Sequence, residues 1–343
     1  MNSFPYVTVI MPVYNEARFI ADTLTTIFQQ DYPADCFEVV VADGMSTDQT
    51  REILESFRVL HPNLHVIDNP QRIVSTGLNR ALECAHGEIV IRFDGHCVYP
   101  KDFVKSVVRI LEQTGADNAG GVLVPVGKSY ISKAIASAYY SPLGIGGAQR
   151  GHHDTGRIRE VDTVHGGCWR RDRLLAIGKF DEEMVRNQDD ELSFRLRKSG
   201  GRIVQSSAIR VNYWVRDSFS KLFMQFAQYG YWKVKVVKKH PRQASLRHFI
   251  PSLFLLSVLL TTILVAVARW PFWTLGGLVG TYASIIALEA LRQSIRSEWR
   301  LWPGVALSLM VMQIAYGWGF IIGLTRRILG PLPTDVLFER VTR

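Results

Sequence analysis

Residues 88–96 read Glu-Ile-Val-Ile-Arg-Phe-Asp-Gly-His, and the rest of the architecture can be built outward from them. The stretch Glu88 to Phe93 has the length and the β-branched character of a strand buried on both faces. Asp94, Gly95 and His96 follow where such a strand would leave its sheet. In an open α/β sheet, ligands collect outside the carboxyl ends of the strands. A carboxylate and an imidazole two residues apart at that edge are competent to hold a divalent cation.

Upstream, the same grammar repeats. Tyr6 to Val13 is a strand rich in Val, Ile and Thr that ends in the turn Pro12 to Glu16, and Phe19, Leu24, Ile27 and Phe28 then recur at helical spacing. Phe37 to Ala42 is a second buried strand ending at Asp43-Gly44, followed by capping residues Ser46, Thr47 and Asp48 and a helix from Gln49 to Leu60. Leu64 to Asp68 is a third strand, and Ser75 to Ala85 a helix. Strand and helix in alternation predict an α/β fold, a mainly parallel sheet with helices on both faces. Beyond Asp94 the pattern predicts a helix at 102–113, a strand at 120–126 and a helix at 129–140. A glycine-rich loop over Leu143 to Arg157, beside the site, leads to a strand at 159–164 and a helix from Asp189 to Ser199.

The apolar content of 47% is unevenly spread. Residues 1–215 read as a soluble domain, 216–248 as an amphipathic, interfacial segment, 249–325 as a membrane region and 326–343 as a tail. Phe249 to Ala268, Phe272 to Leu288 and Pro303 to Leu324 are each uncharged and close to the ~20 residues that cross a bilayer. Arg292, Arg296 and Arg300 return the second loop to the cytoplasm by the positive-inside rule. Three crossings would then leave Arg326 and Arg327 on the wrong side, against that rule. Gly276 with Gly280, and Gly319 with Gly323, have the spacing of close helix contacts.

The net charge of +9 is concentrated beside these segments, at Lys233, Lys235, Lys238, Lys239, Arg242 and Arg247, which matches an anionic lipid surface. No nucleic-acid-binding motif accompanies it, so nucleic acid is excluded as a partner. Four widely spaced cysteines without a CxxC pair argue against a zinc ribbon or a disulfide framework. The chain opens straight into a strand-like run with no signal peptide, so the expected location of the soluble part is the cytoplasmic face of a bacterial-type inner or plasma membrane, with a multi-pass anchor.

Four islands stand in order: Pro12 to Glu16, Ala42 to Asp48, Asp94-Gly95-His96, and Asn187 to Leu192 with Arg195. Together they resemble the inverting family 2 glycosyltransferases of GT-A fold, over roughly residues 5–235. Among these the chain is most similar to the membrane-bound glucosyltransferases of succinoglycan-type exopolysaccharide synthesis. The resemblance implies a nucleotide-sugar donor, with Pro12, Tyr14 and Glu16 cradling the nucleoside, Asp43 accepting an N–H of uracil, and Arg72, Gly77 and Asn79 bordering the donor. It implies a cation, Mn²⁺ or Mg²⁺, at Asp94 and His96. His96 stands where the family's motif has a second Asp. Asp189 aligns with the catalytic carboxylate and is the implied general base, with Gln188 replacing the family's Glu. His165, Gly166, Gln188, Asp190, Arg216, Gln225 and Gln228 are expected near the acceptor or diphosphate.

The family's processive synthases carry a Gln-x-x-Arg-Trp motif, and Gln225-Phe226-Ala227-Gln228-Tyr229 lacks its Arg-Trp. The resulting expectation is single addition of a hexose from a UDP-sugar to a polyprenyl-diphosphate-linked saccharide. The alternative is a polyprenyl-phosphate glycosyltransferase, whose acceptor is the lipid phosphate itself. A non-catalytic subunit on the same fold is disfavoured by the intact metal and base positions.

Overall fold

The computed structural model describes residues 4–145, 156–243, 245–330 and 337–338. Most of the expected loop over Leu143 to Arg157, and most of the tail, lie outside the described residues. Two compact units are formed, the first from residues 4–124 and 156–214, the second from residues 125–145 and from 215 onward.

The first unit begins with β1 (Val7–Val13), α1 (Ile20–Phe28), β2 (Phe37–Asp43), α2 (Thr50–Leu60), β3 (Leu64–Asp68), α3 (Val74–Glu83) and β4 (Ile89–Arg92). β1 pairs in parallel with both β2 and β4, and β2 in parallel with β3. Val7 lies opposite both Phe37 and Ile89, and Val13 opposite Asp43, so the carboxyl ends of three strands open side by side. This register follows from burial. Every residue of β2 and β4 is buried, and helices cover both faces of such strands.

Next come β5 (Cys97–Val98), α4 (Phe103–Thr114) and β6 (Asn118–Val126), and after residue 156 β7 (Ile158–Glu160), β8 (His165–Arg170) and β9 (Ile203–Trp214). The sheet has the order β3-β2-β1-β4-β8-β6-β9-β5, with β7 on β9. It is mixed: β8 is antiparallel to both β4 and β6, and β9 to β5 and β7. A strand buried on both faces reads the same in either direction, so periodicity resolves only the parallel half. β8 brings His165 and Gly166 beside the end of β4. The short α7 (Arg171–Ala176) follows, then α8 (Gln188–Lys198).

At the opposite, amino-terminal edge of the parallel strands, the buried Glu38 accepts from Thr8 Oγ1 at 2.5 Å and from the His86 backbone N–H at 2.7 Å. The His86 ring Nδ1 lies 3.1 Å away. One carboxylate thereby ties β1, β2 and the turn before β4.

The second unit contains α5 (Tyr130–Tyr139), α6 (Pro142–Ile145), α9 (Phe219–Lys239), α10 (Ile250–Val267), α11 (Phe272–Arg296) and α12 (Trp302–Leu329). Ser129 and Ser218 cap α5 and α9 with their hydroxyls. α10, α11 and the segment Trp299–Leu329 are each long and apolar enough to cross a membrane. Of the apolar positions spaced along α9, Phe219, Phe223 and Tyr229 are half-buried and others are covered. Leu222, Phe226, Ala227 and Tyr231 are buried, and glycines bring α9 and α12 together. A side-chain carbon at Gly230 would strike the Tyr316 carbonyl, and one at Gly319 the Ala227 carbonyl. Gly319 and Gly323 thus serve a contact within the chain, whereas Gly276 and Gly280 face open space.

Burial by itself would raise the Glu38 carboxyl, but the bonds from Thr8 and His86 outweigh it and hold it below its ordinary value of 4.5. Glu38→Ala is expected to cost about 1–3 kcal/mol at neutral pH. A group depressed in the folded state contributes above its unfolded value and stops contributing as pH falls through the folded one. Thermal melts of wild type and variant should therefore converge as the pH drops below 4.5.

Candidate active site

The first two islands are clasped to one another at the carboxyl ends of β1 and β2. Asn15 donates its backbone N–H to Ser46 Oγ at 2.9 Å and accepts from the Thr47 N–H at 2.8 Å. Glu16 N–H donates to Thr50 Oγ1 at 2.7 Å, and Ala17 N–H to Asp48 Oδ2 at 3.1 Å. Asn15 and Met45 are held at φ of 52° and 59°, a region disfavoured for residues with a side chain. Such strain persists only where surroundings over-determine it, as this clasp does. Gly44 lets the Tyr14 ring lie close: its added Cβ would come within 3.2 Å of Tyr14 Cβ and Cδ2. Pro12, Tyr14, Glu16 and Asp43 are thereby gathered on one ledge. Asp43, fully buried, accepts from Ser46 Oγ at 2.6 Å and faces Arg51 Nη1 at 3.4 Å. Arg51 also reaches Asp68 at 2.5 Å.

At the end of β4, the buried Arg92 forks onto Asp94 Oδ1 with Nε and Nη2, both at 3.0 Å. The other oxygen, Oδ2, lies 2.8 Å from His165 Nε2 on β8. That ring nitrogen is buried, and among the described residues no hydrogen bond is aligned with it. Cys97 Sγ completes a group whose ligand atoms all lie within 4.8 Å of one another. His96 is not in this group; its Nδ1 lies 3.0 Å from Glu16 Oε1. Burial alone would raise the Asp94 carboxyl, but Arg92 first, then His165 and His96, hold it well below the usual carboxylate range. The Asp94 backbone N–H donates to Tyr99 Oη at 2.8 Å, and burial pushes that phenol well up, so it stays a neutral partner.

The fourth island caps α8. Asn187 sits at φ 61° and starts the helix, placing Gln188, Asp189 and Asp190 in its first turn. Asp189 Oδ1 accepts from the Asp190 N–H at 3.1 Å, and its charge is felt by Arg92. Glu191, buried, takes Arg195 Nε at 2.9 Å and Nη2 at 2.7 Å. Arg195 also donates to the carbonyls of Ile177 and Lys179. α8 is thus bolted to the preceding segment.

Other expected site residues have different surroundings. Asn79 is buried and its amide donates to the Phe180 carbonyl and Glu182 Oε1, both at 2.8 Å. A Cβ at Gly77 would come within 3.1 Å of Pro12 Cβ, so this glycine lets α3 approach β1. Arg72 is exposed at φ 64°. Gly166, at φ 59°, lets β8 pass 3.2 Å from the Arg92 carbonyl, measured from an added Cβ. Arg216, Gln225 and Gln228 belong to the second unit. There Gln225 accepts from Arg216 Nε at 3.3 Å and donates to Tyr229 Oη at 3.0 Å, while Gln228 donates to the Leu337 carbonyl at 3.4 Å. Sequence reasoning passed over Asn15, Ser46, Arg51, Arg92 and Cys97. A buried cation two residues before Asp94 was the one local signal available.

Comparison with known proteins identifies the fold and the family. The family model described as Glycosyl transferase family 2 matches residues 8–171. The succinoglycan biosynthesis protein ExoA of Rhizobium meliloti (strain 1021) is 31% identical over 315 residues, covering 91% of this chain and 93% of that protein. The chain belongs to glycosyltransferase family 2. A Methanococcus voltae glycosyltransferase, named as acting on dolichyl N-acetyl-α-D-glucosaminyl phosphate, is 23% identical over 94% of this chain and 98% of its own. Among solved structures, the mannosyltransferase of Pyrobaculum calidifontis in complex with GDP-Man and Mn²⁺ superposes with a TM-score of 0.62 at 22% identity, over 92% of this chain and 88% of that one. These likenesses show a GT-A fold, and the protein is a glycosyltransferase whose first three islands fall at the strand ends described above and whose fourth heads α8.

In this family 2 glycosyltransferase the Arg92–Asp94 pair is buried on both sides, so removing one partner strands the other. Arg92→Met is expected to lower the unfolding free energy by about 3–5 kcal/mol. Arg92→Met combined with Asp94→Asn should cost less than the sum of the single changes, which a double-mutant cycle of denaturant midpoints reads directly.

Proposed function

We propose that this enzyme transfers a hexose from a UDP-sugar, with inversion, to a hydroxyl of a polyprenyl-diphosphate-linked saccharide at a membrane surface. What supports the reading is the Tyr14–Asp43 ledge and the Asp94 cluster at adjacent strand ends, with Asp189, at the head of α8, close enough for its charge to act on Arg92. Tyr14 packs against the nucleobase, and Asp43 accepts its N–H. Asp189 takes the proton from the acceptor hydroxyl as that oxygen attacks the anomeric carbon opposite the departing diphosphate. No covalent sugar–enzyme intermediate is required. Relatives named for succinoglycan biosynthesis and for a dolichyl-phosphate-linked sugar support a lipid-linked saccharide as acceptor. The apolar flanks of α10 and α11 support an integral-membrane enzyme, with its catalytic unit on the cytoplasmic face of a plasma or inner membrane.

Asp94 Oδ2 and His165 Nε2 fit a divalent cation. They converge at 2.8 Å without an aligned ring N–H, the spacing of adjacent ligands on a cation with bonds of about 2.0 Å. When bound, Mn²⁺ or Mg²⁺ supplies positive charge against the leaving diphosphate. Arg92 keeps Asp94 a one-oxygen ligand by occupying Oδ1. His96, whose Nδ1 is turned to Glu16, is assigned to the nucleotide side rather than to the cation.

Purified enzyme in detergent, offered a panel of labelled nucleotide sugars, polyprenyl phosphate and a polyprenyl-diphosphate-linked sugar, tests the reaction. Transfer from a UDP-hexose to the sugar-bearing lipid alone is expected, and Asp189→Asn should reduce kcat by about 10²–10⁴-fold. Transfer to the bare lipid phosphate that survives the substitution would assign the enzyme to phosphate glycosylation instead. Mn²⁺ titrations followed by electron paramagnetic resonance test the cation site. His165→Ala should weaken binding by about ten-fold or more, and His96→Ala should change it less; the reverse order would return the ligand role to His96.

A further inference from the structure

Length and hydrophobicity mark three helices as candidate spans, but their packing divides them two and one. α10 and α11 form an antiparallel hairpin, with the Phe254 ring stacked on Tyr282 at 4.0 Å. Their buried residues all lie at one end: Pro251 and Ser252 at the start of α10, and Ile286, Ala290, Gln293 and Ser294 toward the end of α11. The remainder, from Leu253 to Val267 and from Phe272 to Ile285, carries exposed apolar side chains. That is the signature of a hairpin standing in lipid.

α12 does not run beside this hairpin. At its beginning, Trp302 Nε1 donates to the Ala287 carbonyl at 3.1 Å, toward the closed end of α11. Further along, a Cβ on Gly317 would meet the Pro251 carbonyl at 2.7 Å and Leu255 Cδ1 at 2.9 Å, and Phe320 packs edge-on against Phe249. These are the first turns of α10, the same closed end. Trp302 and Gly317 are separated by about 22 Å of helix at 1.5 Å per residue. Had α12 crossed the bilayer beside α10, Gly317 would lie near the far end of α10, not at its first turn. The other side of α12 is covered by helices of the same unit. Gly304 approaches Ala134 and Tyr130, Gln313 donates to the Leu143 carbonyl, and Gly319 and Gly323 pack on Ala227 and Tyr231. The helices providing this cover present Lys133, which is paired with Glu298 at 2.9 Å, and Ser137, which is 3.2 Å from Ser297. Such pairs suit the water side of an interface. In keeping with this cover, ten residues of α12 are buried, against two of α10 and four of α11.

We infer that the chain crosses the membrane twice, through α10 and α11, and that α12 lies across the base of that hairpin in the plane of the interface. Leu307, Met310 and Leu324, exposed at helical spacing, face the lipid, while Ile328 and Leu329 lie at the helix end beside Arg326 and Arg327, at the aqueous edge. The second crossing restores the chain to its original side, so Arg326 and Arg327 end on the side that holds α9. This removes the conflict with the positive-inside rule that three crossings create. The inference rests on the membrane reading above and adds the count and the orientation of the last helix.

Cysteine accessibility decides it. In a background with Cys36 and Cys84 changed to Ser, the single variants Trp270→Cys, Ile328→Cys and Leu329→Cys are labelled with a membrane-impermeant maleimide in intact cells and in inverted vesicles. All three positions are exposed, so the substitutions leave the packing intact. The wild-type chain, through its exposed Cys84, reports the side of the first unit. Labelling of Ile328→Cys and Leu329→Cys only from the Cys84 side, with Trp270→Cys only from the other, is the expected result. Labelling of all three from the side opposite Cys84 would make α12 a third crossing and overturn the inference. Labelling of all three from the Cys84 side would overturn both it and the integral-membrane reading on which it rests.

Discussion

One guanidinium sets the terms of the site. Arg92 reaches Asp94 from two residues away along the same strand end and occupies a single carboxylate oxygen, in a largely buried place. Burying both charges is costly, and what offsets that cost is the fork geometry together with the neighbours that use the remaining oxygen. The sheet has to bring β8 alongside β4, because His165 comes from there. It has to keep Gly166 bare, because a side chain would press on the Arg92 carbonyl. The antiparallel return of β8 is what holds this pair in place, through His165 at Asp94 and Gly166 at the Arg92 carbonyl.

Local chemistry was legible in the sequence wherever a buried strand ended in an acid. Asp43 and Asp94 stand out because runs of Val and Ile stop abruptly at them, and the helix that carries Asp189 begins at Gln188, beside the acidic cluster. Pairings between distant residues were not legible. His165 approaches Asp94 from 71 residues away, and Glu16 engages His96 from 80 residues away. Both depend on strand order and direction, which hydrophobic periodicity does not encode. Asn79 and Gly77 sit in the stretch that borders the donor in the family, yet one is spent on the segment at 180–182 and the other on helix packing. Position along the chain pointed both toward the donor, and for Asn79 so did its polar side chain. The third dimension assigned both elsewhere.

The helical unit shows the same limit on a larger scale. A hydropathy reading treats Pro303 to Leu324 and Phe249 to Ala268 alike, since both are uncharged and of bilayer length. Their difference lies in where glycine falls. Gly304, Gly317, Gly319 and Gly323 each bring a neighbouring element against α12, and together they turn an apolar helix toward protein instead of hydrocarbon. The glycines of α11, with nothing beside them, leave that helix in contact with its solvent.

The covered stripe of α9 also constrains how the protein is made. Its cover, α12, lies roughly eighty residues further along the chain, which at about 5–20 residues per second takes some 4–16 s to synthesise. Throughout that interval Phe226 can already pack on Tyr139 of α5, but the backbone at Ala227 and Tyr231 still lacks its cover from Gly319 and Gly323. Completion of the α9–α12 packing is therefore paced by translation, not by the intrinsic folding rate of the two helices.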